Sequence, residues 1–254
     1  MRVYLDYNII VSIERNELSL KDCLNRINVN VAEIPYSSAH IQEIDNIVLE
    51  DENGREELIA KKLKTVAEIS NGIYVYQDLK NNQIVFLYND VYSALEAIRE
   101  VPYAKPVMQS FVNLISFEQK EQIRTHLGID PKVLNNYDPL KAIEHLNTSL
   151  EKDGYSFMGL IDLAFQFHPD GKTFGIHNRI AAIYELLDFL GYWKDAETDK
   201  SNYARLWDAN HAFYASNCDY FISDDKRNRN KAIVAYEILG ITTKITSSKG
   251  KIFN

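Results

Sequence analysis

The chain has 254 residues, 46% of them hydrophobic and 25% charged, with a formal net charge of −8. This composition fits a globular protein with a sizeable core and excludes a disordered chain. No apolar run reaches the roughly 20 residues of a membrane span, and Asp6 interrupts any signal-type stretch at the N-terminus.

The two cysteines, Cys23 and Cys218, form no Cys-x-x-Cys pair, so a cysteine zinc site is not expected. Two buried thiols in a cytoplasmic protein are. The charge is uneven. From Lys226 to the end the chain carries +6, against −14 for the rest. A local basic segment in an acidic chain suits phosphate binding beside acidic groups.

In chain order, Arg2 to Leu5 reads as a short strand ending at Asp6, and Asn8 to about Ile13 as a helix. Val29 to Ile34 alternates apolar and polar residues and predicts a second strand. Pro35 follows, and Ser37 or Ser38 is placed to cap a helix with Ile41, Ile44 and Val48 on one face, running to about Glu50. Asn53-Gly54 predicts a break before a further helix through Leu63, Val66 and Ile69.

The middle, about 72–199, reads as mainly helical. Its clearest helix carries Ile180, Ile183, Leu186, Leu187 and Leu190, with Gly191 as the stop. Tyr203 to Asn217 predicts a helix, Tyr220 to Ile222 a buried strand, Ser223 to Asn230 a polar loop, Lys231 to Leu239 a helix stopped by Gly240, and Ile241 to Ile245 a last strand. Helices alternating with short apolar strands at both ends predict a parallel sheet. The expected fold class is α/β, one domain built from about 1–71 and 200–254 with a helical insertion between.

Four acids stand out. Asp6 follows the first strand, and Asp225, beside Asp224, follows the strand at Tyr220. Both therefore fall at the C-terminal, ligand-binding edge of a parallel sheet. Glu43 and Asp208 lie on helices near such strands. Clustered carboxylates repel one another unless they hold hard divalent cations, which polarise a phosphate and activate water. Gly171-Lys172-Thr173 lacks the earlier glycine of a P-loop and is discounted. His177 and His211 are not at metal spacing with another histidine.

Val3-Tyr4-Leu5-Asp6-Tyr7-Asn8-Ile9-Ile10 resembles the opening of PIN-domain nucleases: an apolar strand, an Asp, one variable residue, then Asn or Ser. Trp207-Asp208-Ala209-Asn210, followed by Tyr220-Phe221-Ile222-Ser223-Asp224-Asp225, is similar to the family's late motif. The segment Ser37 to Ile44 is similar to the helix carrying the family's Glu. Together these cover roughly residues 1–50 and 200–246.

The resemblance implies a PIN-like three-layer α/β/α fold with a short parallel sheet. It implies an endoribonuclease dependent on Mg2+ or Mn2+, with Asp6, Glu43, Asp208 and Asp225 as catalytic metal ligands and Asn8 and Ser223 as support. Asp224 stands where the family often has Asn, so either Asp224 or Asp225 could be the nearer ligand. RNA is the implied substrate, with Lys226, Arg227 and Arg229 placed to bind its phosphates. A toxin-type role implies an antitoxin or other regulatory protein partner, and the long insertion could shape the substrate groove, bind a partner or form a homodimer contact. The alternative is a PIN-like module that binds RNA or protein without cutting. A structure-specific DNA nuclease would need more carboxylates than can be placed.

Overall fold

In the computed structural model the chain is mixed α/β. The structure describes residues 1–30, 33–78, 80–100, 116–166, 175–194 and 199–253, with the backbone alone at 164–166 and 199–205. The chain forms two compact units, one of residues 1–104, 214–225 and 242–254, the other of 105–213 and 226–241. The discounted Gly171-Lys172-Thr173 lies outside the described residues. Among the described residues, no helix is long and apolar enough to cross a membrane.

The first unit holds the sheets. β1 (Val3–Leu5) pairs in parallel with β5 (Tyr220–Ile222), β5 in parallel with β6 (Lys244–Thr246), and β6 antiparallel with β7 (Ile252–Phe253). β1 and β5 are buried along their whole length, which is why they are short unbroken apolar runs rather than alternating ones. On the other side of β1, Arg2 bridges Glu33 in parallel. A second sheet has β3 (Ile73–Asp78) between β2 (Tyr36–Ser37), which runs parallel to it, and the antiparallel β4 (Gln83–Tyr88). The core gathers Val3 and Leu5 of β1, Ile222 of β5, Ile9 of α1 (Tyr7–Glu14), Ile41 and Ile44 of α3 (Ser38–Asp45), and Leu63 of α4 (Glu52–Ser70). Cys23, on α2 (Leu20–Arg26), is buried with them, and α5 (Val91–Arg99) packs on α3 and α4.

Several expectations are corrected. The strand expected at Val29 to Ile34 is reduced, among its described residues, to the single bridge at Glu33, and residues 31 and 32 are outside the description. The ladder resumes only after Pro35, which has no N–H to donate to one. The helix expected to reach Glu50 ends at Asp45, and Val48 is 87% exposed. Arg55 holds that ending, its Nη2 donating to the Asp45 carbonyl at 2.6 Å and its Nε to that of Ile47 at 2.8 Å.

Asn53-Gly54 is no break but the first turn of α4. Asp51 caps it by accepting from the Gly54 N–H at 2.9 Å, and a Cβ at Gly54 would lie 2.7 Å from that carboxylate oxygen. The middle begins with the β3–β4 hairpin, whose alternating Ile73-Tyr74-Val75-Tyr76 suits a pleated surface.

The second unit is helical: α6 (Phe117–Leu127), α7 (Pro131–Leu134), α8 (Pro139–Glu151), α9 (Phe157–Gln166), α10 (Ile176–Phe189), α11 (Asp199–Ala215, continuing into the first unit) and α12 (Lys226–Leu239). α12 packs on α10 and α8, and α9 on α8 and α10. α10 stops where the sequence predicts, at Gly191 with φ +92°. The expected polar loop Ser223 to Asn230 is instead helical from Lys226. Two polar side chains of this helix are buried against polar partners. The Tyr184 hydroxyl donates to the buried Asn228 Oδ1 at 2.7 Å, and Lys231 Nζ meets Asp188 at 3.3 Å out of solvent. Lys231 is thereby removed from the basic surface.

Candidate functional site

The parallel register of β1 and β5, Leu5 opposite Ile222, brings their C-terminal ends side by side. The Asp6 N–H donates to the Ile222 carbonyl at 2.8 Å and the Ser223 N–H to that of Thr246 at 3.0 Å, so the ladder holds the backbone on both strands up to the acids. Asp6 is the N-cap residue of α1 through its backbone only: its carbonyl accepts from Ile9, while its carboxylate caps nothing. Instead Asp6 Oδ2 accepts the Ser223 hydroxyl at 2.5 Å. The same hydroxyl accepts the Asp225 N–H at 3.2 Å. One buried hydroxyl thus links the Asp6 carboxylate to the backbone N–H of Asp225.

Asp6 is 2% exposed, and a carboxylate so placed is costly unless it is hydrogen-bonded or paired with a cation. Asp225 is half-buried. Asp224 turns to another task, its two oxygens accepting the Ser248 N–H at 2.9 Å and the Ser248 hydroxyl at 2.6 Å. Of the two adjacent acids, Asp225 is the one joined to Asp6 through Ser223.

His40, not singled out from sequence, supports this edge from α3. Its Nδ1 accepts the Ser37 N–H at 3.1 Å, so Nε2 carries the proton and donates to the Leu5 carbonyl at 2.8 Å. Ser37 caps α3 and lies 2.6 Å from the Tyr4 hydroxyl. The signal was present as the capping-box spacing Ser37-x-x-His40, but a histidine is not the Glu or Gln usual there. Burial pushes the Tyr4 hydroxyl well above its ordinary range, and Asp6 adds to this.

Glu43 is half-buried on the second turn of α3. It acts on Tyr7, the residue after Asp6. Burial raises the Tyr7 hydroxyl most, and Glu43 and then Glu14 raise it further. Asp208 is half-buried in the middle of α11, not early on it, and belongs to the helical unit. Asn8 is exposed on the first turn of α1. Lys226 and Arg227 are exposed and Arg229 is half-buried at the start of α12. His211 is fully buried and His177 shares a 2.7 Å hydrogen bond with Asn210 Oδ1.

Compared with protein-family models, curated proteins and solved structures, the chain finds no match. Among the described residues, no three of His, Cys, Asp and Glu gather into a group that would hold a metal ion. The structure therefore joins Asp6, Ser223 and Asp225, and brings Glu43 within electrostatic reach of Tyr7. A cavity of about 650 Å³ bordered by Arg2, Glu33, Asp219 and Thr243 lies at the opposite, N-terminal end of the parallel strands.

Proposed function

We propose that the chain is a metal-dependent ribonuclease of the PIN-like type, acting at the C-terminal edge of β1 and β5. The observation that carries this reading is the Ser223 hydroxyl joining Asp6 to Asp225. The donor set is chemically suited to a hard cation. Magnesium usually takes one or two carboxylates and fills its remaining positions with water and substrate phosphate. Asp6 and Asp225 would hold it, with Glu43 and Asp208 as further ligands by the resemblance. The ion would polarise the phosphate and lower the pKa of a bound water. Ser223 orients the Asp6 carboxylate, and His40 fixes the Leu5 carbonyl before it. Lys226, Arg227 and Arg229 would bind flanking phosphates. An antitoxin-type partner follows from the resemblance alone.

The test is cleavage of a mixed RNA pool by wild type and Asp6→Asn with Mn2+, Mg2+ or EDTA. Metal-dependent cutting by wild type that is absent in Asp6→Asn is expected. Substituting Lys226, Arg227 and Arg229 together should weaken RNA binding and flatten its salt dependence, and an unchanged slope would remove them from the phosphate-binding role.

The second reading is a module of this fold that binds RNA or protein without cutting. The lack of a three-acid group among the described residues favours it. Folded wild type that cuts no RNA with either metal would establish it over the first.

A further inference from the structure

On the helical unit, the turn after α10 holds a bulky side chain in a backbone conformation it does not favour. Gly191 has φ +92°, and a Cβ there would come 2.7 Å from Pro131 Cγ. Tyr192 is fully buried, and its N–H donates to the Leu187 carbonyl at 2.8 Å. Trp193 then has φ +45°, in the left-handed region that glycine and asparagine enter readily and tryptophan does not. Its N–H donates to Asn135 Oδ1 at 2.7 Å. Strain of this kind persists where the surroundings impose it, and it concentrates at binding sites.

The turn leaves Trp193 partly exposed, with Lys226 Nζ 4.4 Å from the ring centroid. Next to it in the chain, Lys194 Nζ lies 5.4 Å from the ring of Phe117, which is 45% exposed at the start of α6. Lys194 is also 3.5 Å from Glu121 Oε1. Aromatic faces and ammonium groups thus alternate as Phe117, Lys194, Trp193 and Lys226.

We propose that these four residues form a binding strip for single-stranded RNA on the helical unit. The choice of ligand rests on the nuclease reading, and the charge pattern fits it. A π-face stacks on any unstacked base and a neighbouring ammonium donates to the phosphate, which together bind a single strand with little sequence preference. Bases inside a duplex are already stacked on one another and offer no free face. Lys226 is the residue after Asp225, so the strip runs in sequence to the candidate acid pair.

The test is binding in EDTA, where no metal-dependent cleavage can occur. A 12-nucleotide oligouridine RNA and a duplex RNA are each titrated into the full chain, and tryptophan fluorescence is followed. Of the two tryptophans, Trp207 is buried, so quenching reports Trp193. Wild type should bind the single strand with quenching and the duplex much more weakly. Trp193→Gly relieves the positive φ and keeps the fold by circular dichroism, yet should bind about tenfold more weakly or worse. Trp193→Phe should retain most of the binding, and Phe117→Ser should lose part of it.

Unchanged binding by folded Trp193→Gly, or equal binding of the duplex without quenching, would overturn the strip. The two readings fail separately. Quenching by RNA in a protein that cuts nothing upholds the strip without the nuclease. Cutting by wild type alongside unaltered binding by Trp193→Gly upholds the nuclease without the strip.

Discussion

Ser223 is the residue on which the acid pair depends, because its hydroxyl donates to Asp6 and accepts from Asp225. Replacing it with Ala removes a hydrogen bond to a charged, buried carboxylate. Ser223→Ala should therefore lower stability by about 1.5–3 kcal/mol in urea unfolding. A loss below about 0.5 kcal/mol would mean the bond is not made in solution. The thiols offer an independent check. Burial raises Cys23 to about 11, with Asp224 adding to it, and Cys218 to about 12. At pH 8 almost no thiolate forms, so a disulfide reagent should label neither until denaturant is added. Prompt labelling of the native protein would contradict their burial. His177 gives a pH dependence. Burial lowers its pKa, and the Asn210 hydrogen bond partly opposes this. The folded state thus favours the neutral ring. Its contribution to stability is complete above the ordinary imidazole range and is lost as pH falls through the lowered value. Urea unfolding at decreasing pH should show that loss diminished in His177→Gln.

At the scale of elements, His40 ties α3 to the end of β1. His40→Phe keeps the ring volume but leaves the Leu5 carbonyl and the Ser37 N–H without their partner. Such buried losses amount to about 1–3 kcal/mol each. The expected outcome is a lowered urea midpoint and, on the nuclease reading, weaker cleavage through a displaced Asp6. α10 and α12 are joined by the buried pair Asp188–Lys231. Lys231→Met removes the ammonium that meets the buried Asp188 carboxylate and should lower stability, and adding Asp188→Leu should restore part of the loss. A double variant as unstable as the single one would show that packing, not charge, holds these helices. Where each element starts was only partly legible. A serine cap at Ser37 or Ser38 is recognisable because its effect is local, whereas the first turn of α12 reads as loop because its Asn228 meets Tyr184 far away in sequence. Asn53-Gly54 misleads for a different, local reason, since the Asp51 carboxylate accepts the Gly54 N–H and makes the pair part of a helix start.

Across the whole molecule, the chain passes between the two units at four places, and α12 leaves the sheet unit directly after β5. Both cysteines belong to the sheet unit and both tryptophans to the helical one. Thiol exposure and tryptophan emission therefore report separate units. Because the chain crosses so often, neither unit is a continuous segment able to fold before the other is made, and the two urea transitions should coincide. A gap between the midpoints would show that the units unfold independently.

The sequence by itself determined the short apolar strands at Val3 and Tyr220, the acids just after them, a serine cap at Ser37 or Ser38, the helix stop at Gly191, and the alternation that makes the chain α/β. These are local patterns, set by side-chain period and backbone preference within a few residues. Only the tertiary structure decided that Asp225 rather than Asp224 is joined to Asp6, that His40 holds the end of β1, that Lys231 is buried, and that Trp193 faces Lys226. Each of these except the Asp225–Ser223 bond is a contact between residues distant in the chain. A hydrogen bond or ion pair depends on ångström-scale geometry that residue order does not carry.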